Sequence, residues 1–423
     1  FYYLRPFSDI LRLVQSKTDN FRVKYGCFIN YFYLSTMKKT SPFLPIIFAL
    51  LFFSISSLKA QSQLGQSLYG DNFNNYLGHS VAISNDGQRF VAGAYGNDST
   101  DLDAGMVRVY SYNSTSKMWN KLGGDILGDA KFDRFGDNVT ISGDGNVIAI
   151  GAYFNDSFGS SGSDNGQVKV FAYDQGSDKW LQRGESLYGE DINNRFGISV
   201  SLSNDGNELA VGATGFKQLD ITTVAGQVKI FKFNSTSAKF EVMGLPLIGD
   251  SAFTGIGSDV ALSSDGQTVA IGAAGAQGED PDFQGNNAGR VQAFTFNSSM
   301  QRWDKIGDDM IGDEKDENSG QSLDISGDSK TVIVGGRGFD NLSGRARVFR
   351  LNESSSKWEQ IGQDILGYGP QSWTGSSVSI SLDGNTIAVG SMRLGRIQGQ
   401  AGDARIFKYN NGTSKWDQVG LPI

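Results

Sequence analysis

The sequence predicts an all-β fold, a β-propeller built of four-stranded antiparallel blades, and three observations carry that prediction. One phrase, "SVAISNDGQRFVAGA" at 80–94, returns in close variants from 138, 199, 259, 322 and 377. The starts are unevenly spaced, by 58, 61, 60, 63 and 55 residues, but one loop accounts for all of the variation. From the glycine closing each hairpin (Gly93, Gly151, Gly212, Gly272, Gly335) to the next repeated glycine (Gly105, Gly166, Gly226, Gly289, Gly344) there are 12, 15, 14, 17 and 9 residues, and removing them leaves 46 in every repeat. Third, an aromatic residue stands four positions before a glycine near the end of each copy: Trp119, Trp180, Phe240, Trp303, Trp358 and Trp416. A framework fixed to the residue with one permissive loop marks a stacked or ring-shaped repeat.

Each repeat reads as four strands. The first alternates, with Val81 and Ile83, Val139 and Ile141, or Val378 and Ile380 on one side and small or polar residues on the other. A tight turn of the type Asn85-Asp86-Gly87 follows, where glycine accepts the positive φ the turn needs. The second strand, "IAIG" at 148–151 or "LAVG" at 209–212, is apolar almost throughout and must be covered on both faces. Beyond the variable loop comes a third strand, "GQVKVFAY" at 166–173 or "GRVQAFTF" at 289–296, and then the aromatic fourth strand, whose ring is read as packing between neighbouring sheets. Consecutive strands in a four-stranded sheet buried on both sides of its inner strands make a propeller blade. A solenoid would need polar caps at both ends, and neither terminal copy departs enough from the pattern to serve.

Residues 61–423 hold the repeats. Residues 1–36 share nothing with them and are expected to be upstream translation. From Met37 the order "MKK", a short apolar run and Leu58-Lys59-Ala60 is that of a secretory signal peptide over 37–60; a membrane anchor is the other reading of the same run. Export is the expectation, to the extracellular space or the cell surface. The only cysteine, Cys27, precedes that segment, so residues 61–423 contain none and no disulfide framework is available to them. Those residues carry 29 basic against 43 acidic side chains, a net charge of −14, which argues against nucleic acid as a partner. Counting back 58 residues from Trp119 reaches Gln61, so "QSQLG" at 61–65 takes the fourth-strand place of a further blade. The expectation is a seven-bladed ring in the full-length protein, its remaining strands following Ile423.

Two dipeptides bracket the hairpins: Phe135-Gly136 with Gly151-Ala152, Phe196-Gly197 with Gly212-Ala213, and more loosely Leu77-Gly78 with Gly93-Ala94. This pattern resembles the FG-GAP repeat of the integrin α-subunit β-propeller, in a Gly-rich form found in secreted proteins of the Bacteroidetes. The resemblance implies an adhesion or binding role. In the integrin pattern several carboxylates before the Asp-Gly form a calcium loop; here each hairpin keeps one, and Asp86, Asp144, Asp205 and Asp265 are read as turn formers and only weakly as calcium ligands, since calcium wants six to eight oxygens. No other cofactor is expected. The last two copies also drift, with Ser319-Gly320 and Thr374-Gly375 in place of Phe-Gly.

For catalysis the inventory is poor. His79 is the only histidine and reads as a solvated loop residue. The binding candidates sit in the loops between second and third strands: Tyr95, Asp98, Asp101 and Asp103; Tyr153, Asp156 and Asp164; Phe216 and Asp220; Glu279, Asp280 and Asp282. These loops and those joining one blade to the next should emerge on one face. The expected partner is an extracellular protein or glycan. The alternative is a carbohydrate-active enzyme with paired carboxylates brought to the ring axis.

Overall fold

The computed structural model describes residues 63–72, 74–156, 162–217, 224–250, 254–276, 287–392 and 402–423. The chain divides into two units, Phe1–Ala60 and Gln61–Ile423. The first, with the upstream segment, the signal-type segment and Cys27, lies outside the described residues, as do Asp220, Glu279, Asp280 and Asp282. Among the described residues no helix is long and apolar enough to cross a membrane.

The second unit is a β-propeller of six antiparallel blades. Blade 1 is built of Val81–Ile83, Arg89–Ala94, Met106–Asn113 and Met118–Lys121; blade 2 of Asn138–Ile141, Val147–Ala152, Gln167–Asp174 and Lys179–Gln182. Blade 3 has Phe196–Leu202, Glu208–Ala213, Gln227–Asn234 and Lys239–Val242, and blade 4 Ile256–Leu262, Thr268–Ala273, Arg290–Asn297 and Arg302–Ile311. Blade 5 has Ser322–Ile325, Thr331–Gly336, Arg345–Asn352 and Lys357–Gln360, and blade 6 Thr374–Ile380, Thr386–Ser391, Asp403–Asn410 and Lys415–Val419. The fourth strand differs from its sequence reading in one respect. In blade 1 it leaves the sheet at Gly123, where φ is +72°, and a second piece, Ile126–Leu127, returns to the far end of the third strand, with Leu127 opposite Met106. Blades 2, 3 and 5 break in the same way, whereas blade 4 runs unbroken from Arg302 to Ile311 across a register shift.

The hairpin aspartates have a structural task. In each turn Asp Oδ1 accepts the hydroxyl of the serine two residues earlier and the backbone N–H two residues later: at Asp144, from Ser142 at 2.6 Å and Asn146 at 2.9 Å. Asp86, Asp205 and Asp265 repeat this with Ser84, Ser203 and Ser263. Each serine Oγ in turn accepts the N–H that opens the second strand, as Ser142 does from Val147 at 2.9 Å, which closes the hairpin.

The core lies between blades. Ala149, Val168 and Val170 of blade 2 pack with Val200 and Leu202 of blade 3, and the other junctions repeat that set. At each junction the second-strand glycine faces a backbone carbonyl of the next blade: Gly93 meets Gly136, Gly151 meets Gly197, Gly212 meets Gly257, Gly272 meets Gly320 and Gly335 meets Gly375, so close that a Cβ would overlap the carbonyl oxygen. That contact explains both bracketing glycines. It survives in blades 5 and 6, where Ser319 and Thr374 replace phenylalanine, because the close approach is made by backbone. The aromatic fourth-strand residue locks the same junction, as the indole N–H of Trp180 donates to Leu122 O at 3.0 Å, Trp303 to Met243 O at 2.8 Å, Trp358 to Ile306 O at 2.9 Å and Trp416 to Ile361 O at 3.0 Å, each across to the preceding blade.

Candidate functional site

The loops between second and third strands and those between blades meet on one face and are stitched together there. Phe132 N–H donates to Leu102 O, Arg134 N–H to Asp103 O and Phe135 N–H to Ala104 O, and the next junction repeats the pattern with Arg195 N–H on Asp164 O. One consequence is backbone strain at a fixed place. The residue just before the Phe-type position of each blade is held in the left-handed region: Tyr76 at φ 53°, Arg134 at 54°, Arg195 at 57°, Asn318 at 56° and Trp373 at 53°, with Gly255 taking the same place in blade 4. Bulky residues pay about 1–3 kcal/mol for that conformation. Five of six repeats nevertheless place a large or polar side chain there, on the face where the loops converge.

Between blades 1 and 2 these side chains join others into one cluster. Tyr76 and Tyr95 stack with ring centroids 4.9 Å apart and planes 2° from parallel, and His79 meets the edge of Tyr95 at 4.7 Å. His79 Nε2 lies 3.8 Å from Asp137 Oδ1. The Arg134 guanidinium stands 5.4 Å from the Tyr95 ring centre and 4.7 Å from that of Phe154, which itself packs on Tyr153 at 4.3 Å. Burial pushes the Asp137 carboxyl above its usual range, against the pull of His79 and Arg134, and burial likewise raises the Tyr95 and Tyr153 hydroxyls. The cluster is accessible: Tyr76 and the His79 side chain are about half exposed, at 53% and 48%. It sets flat apolar rings beside one cation, one anion and one imidazole.

The loop carboxylates mostly shape their own loops. Asp98 Oδ1 accepts the Asp103 N–H at 2.7 Å and Asp101 Oδ1 the Leu102 N–H at 2.8 Å, so both shape their own loop. Asp156 is wrapped by Gly162 N–H at 3.0 Å, Asp164 N–H at 3.0 Å and Ser163 Oγ at 3.2 Å; burial opposes its ionisation, but these donors hold it below the ordinary range, while burial and the Asp156 charge raise Asp164. The Phe216 carbonyl accepts from Ala225 and Gly226. Among the described residues no group of three or more acidic, histidine or cysteine side chains is arranged to hold a metal ion. Of the loop residues, Tyr95 and Tyr153 come together at one place; Arg134, Tyr76, His79, Asp137 and Phe154 complete it and were not legible as a set. The signal available was the residue preceding Phe135, Phe196 and their equivalents, but its left-handed backbone is visible only in three dimensions.

The first strands of blades 4 and 5 each carry a buried carboxylate. Asp259 of blade 4 accepts Leu323 N–H at 2.8 Å and Val260 N–H at 2.9 Å, and Asp324 of blade 5 accepts Ile380 N–H at 2.9 Å, Ser379 Oγ at 2.9 Å and Ile325 N–H at 2.8 Å. Burial pushes Asp259 up to about 7 and Asp324 up to about 6. Ser80, Asn138, Ser201 and Ser322 make the corresponding bond to the next blade, at 3.0, 3.2, 3.0 and 3.0 Å, so these side chains cap the free edge of each inner strand. The two aspartates belong to that capping ring, not to the loops.

No family model matches the chain, and no curated protein matches it. Solved structures do. The periplasmic gluconolactonase of Pseudomonas aeruginosa is similar with a TM-score of 0.57 at 13% identity, over 86% of this chain and 88% of that one. A candidate 6-phosphogluconolactonase from Bacteroides uniformis gives 0.56 at 13% identity over 85% and 87%, and another from Bacteroides fragilis 0.52 at 14% over 82% and 84%. At such identity the likeness is one of fold.

Proposed function

We propose that this chain is a secreted or cell-surface binding propeller whose loop face takes an extracellular glycan at the junction of blades 1 and 2. The observation that carries this reading is the Tyr76–Tyr95 stack flanked by His79, Arg134 and Asp137. Aromatic faces cover the apolar side of a pyranose ring, and a few fixed polar groups select its hydroxyls or a carboxylate. An array of immobilised glycans tests the proposal. The chain should bind a defined subset, and Tyr95→Ala should abolish that binding with the fold retained. Binding to no glycan, together with Tyr95-dependent capture of an extracellular protein, would transfer the site to a protein partner.

The second reading is a sugar-lactone hydrolase, favoured by the His79–Asp137 couple, in which a carboxylate would orient an imidazole acting as general base. The likeness to gluconolactonases adds fold analogy alone. A 3.8 Å separation with half-exposed imidazole is a loose couple. Hydrolysis of 6-phosphogluconolactone is the discriminating assay, and turnover lost in His79→Ala would establish this reading over the first.

A further inference from the structure

We infer that the flanks of blades 1 and 6 form one docking surface, and that its occupant is three strands of a further copy of this chain's own repeat, met at their outer edge by residues 63–66. Every junction between blades buries the same two sets of residues. The leading set is Val139 and Ile141, Val200 and Leu202, Val260 and Leu262, Leu323 and Ile325, Val378 and Ile380, all at most 9% exposed. Their equivalents in blade 1, Val81 and Ile83, are 62% and 59% exposed. The trailing set is buried wherever a blade follows: Val170, Ile230, Ala293 and Val348 are at most 1% exposed, while Ile406, at the same place in blade 6, is half-buried. The second strand tells the same story, since those of blades 2 to 5 are buried at every position, whereas Thr386–Ser391 alternates between buried and half-buried. Gly390 meets nothing closer than 3.5 Å where the five preceding glycines abut a neighbouring carbonyl. The two bare flanks are thus the two opposite sides of one repeat's binding surface.

Residues 63–66 identify the occupant. Trp119 Nε1–H donates to Leu64 O at 2.9 Å, as Trp416 does to Ile361 O at 3.0 Å. Gln66 exchanges two hydrogen bonds with the Trp119 backbone at 2.7 and 2.8 Å, as Gln363 does with Trp416 at 2.8 and 3.0 Å. The segment therefore sits where the outer strand of a blade ends and breaks at its glycine, as Gln360 to Gln363 do in blade 5, with no inner strands beside it in the described residues. In blade 5 the equivalent of Gln63, Gln360, pairs with Phe349 of the third strand, and that place beside Gln63 is one an added strand can take. Residues 37–60 lack the repeat pattern.

The register for a test is set by Ile423, which exchanges backbone hydrogen bonds with Ala404 at 3.0 and 3.1 Å as Leu247 pairs with Val228. A copy of residues 248–297 joined after Ile423, on the chain from Gln61, should raise the unfolding midpoint by at least about 5 °C and resist proteolysis. Val81→Asp with Ile83→Asp should leave the unextended chain within about 2 °C of its own midpoint and cancel the gain in the extended one. Should the fusion not fold, the same segment added as a peptide must raise the midpoint of the unextended chain. An appended segment cleaved as fast as free peptide, with no gain in midpoint, overturns the inference. So does an unextended chain that dimerises until Val81→Asp and Ile83→Asp are introduced, which would give the surface to a second copy.

Discussion

The α-carbon of Gly151 lies against the backbone of Gly197 in the following blade, leaving no volume for a side chain between them. Gly151→Ala must push blades 2 and 3 apart, and since this contact is backbone on backbone no rotamer change relieves it. We expect a loss of about 3 kcal/mol or more, from overpacking together with the gaps opened beside Ala149 and Val200. Gly390→Ala, at the same position of blade 6, should cost under about 1 kcal/mol, because its Cβ would meet only ordinary contacts. Denaturant unfolding of the two variants makes the comparison, and equal losses would refute this account of the repeated glycine.

The indole N–H at the end of each blade makes a smaller, separable contribution. Trp180→Phe keeps the ring beside Tyr173 but leaves Leu122 O without its 3.0 Å donor. The expected loss is about 1 kcal/mol, the net worth of one hydrogen bond, and the repeat already tolerates the change, since blade 3 carries Phe240 here. Trp180→Ala should cost about 3–5 kcal/mol, and the difference measures packing against hydrogen bonding.

Stability should depend on pH through the capping ring. The folded state holds Asp259 near 7 and Asp324 near 6, against 3.8 for the free side chain. Between those values the folded chain keeps protons that the unfolded chain releases, so the contribution of these two groups to stability is greatest at low pH and falls as pH rises through about 7. Asp259→Asn removes the titration while keeping an acceptor, as Asn138 does for Val200. It should raise the unfolding midpoint at pH 8 and leave it unchanged near pH 4; a gain of equal size at both would contradict the assignment.

The fold was legible in the sequence because its determinants are local and repeated: alternating Val81 and Ile83, the Asp-Gly turn, the apolar second strand and the aromatic four residues before a glycine each recur in register. The break in the fourth strand at Gly123 was not, since a positive φ followed by two residues that rejoin the sheet leaves no periodic trace. The site was legible only in part. Tyr95 and Tyr153 stand in the variable loops, which the length variation between repeats marks out. Arg134 and Tyr76 stand in the fixed framework, and His79 read as an isolated residue because Asp137, its neighbour in space, is 58 positions away in sequence.

Arg134 offers the most direct test of the central claim, that the cluster around Tyr95 on the loop face binds a ligand. Its left-handed backbone, φ 54°, is natural for glycine, and its side chain contacts the rings of Tyr95 and Phe154. Arg134→Gly should therefore stabilise the fold by up to about 1 kcal/mol while removing the cation from the site. The decisive measurement is calorimetric titration of the chain, Arg134→Gly and Asp98→Asn with a soluble glycan drawn from the array, beside thermal unfolding of all three. The account predicts that Arg134→Gly unfolds no earlier than the parent chain yet binds at least about tenfold more weakly, and that Asp98→Asn binds as the parent does. Undiminished binding by Arg134→Gly, or equal loss in Asp98→Asn, would contradict it.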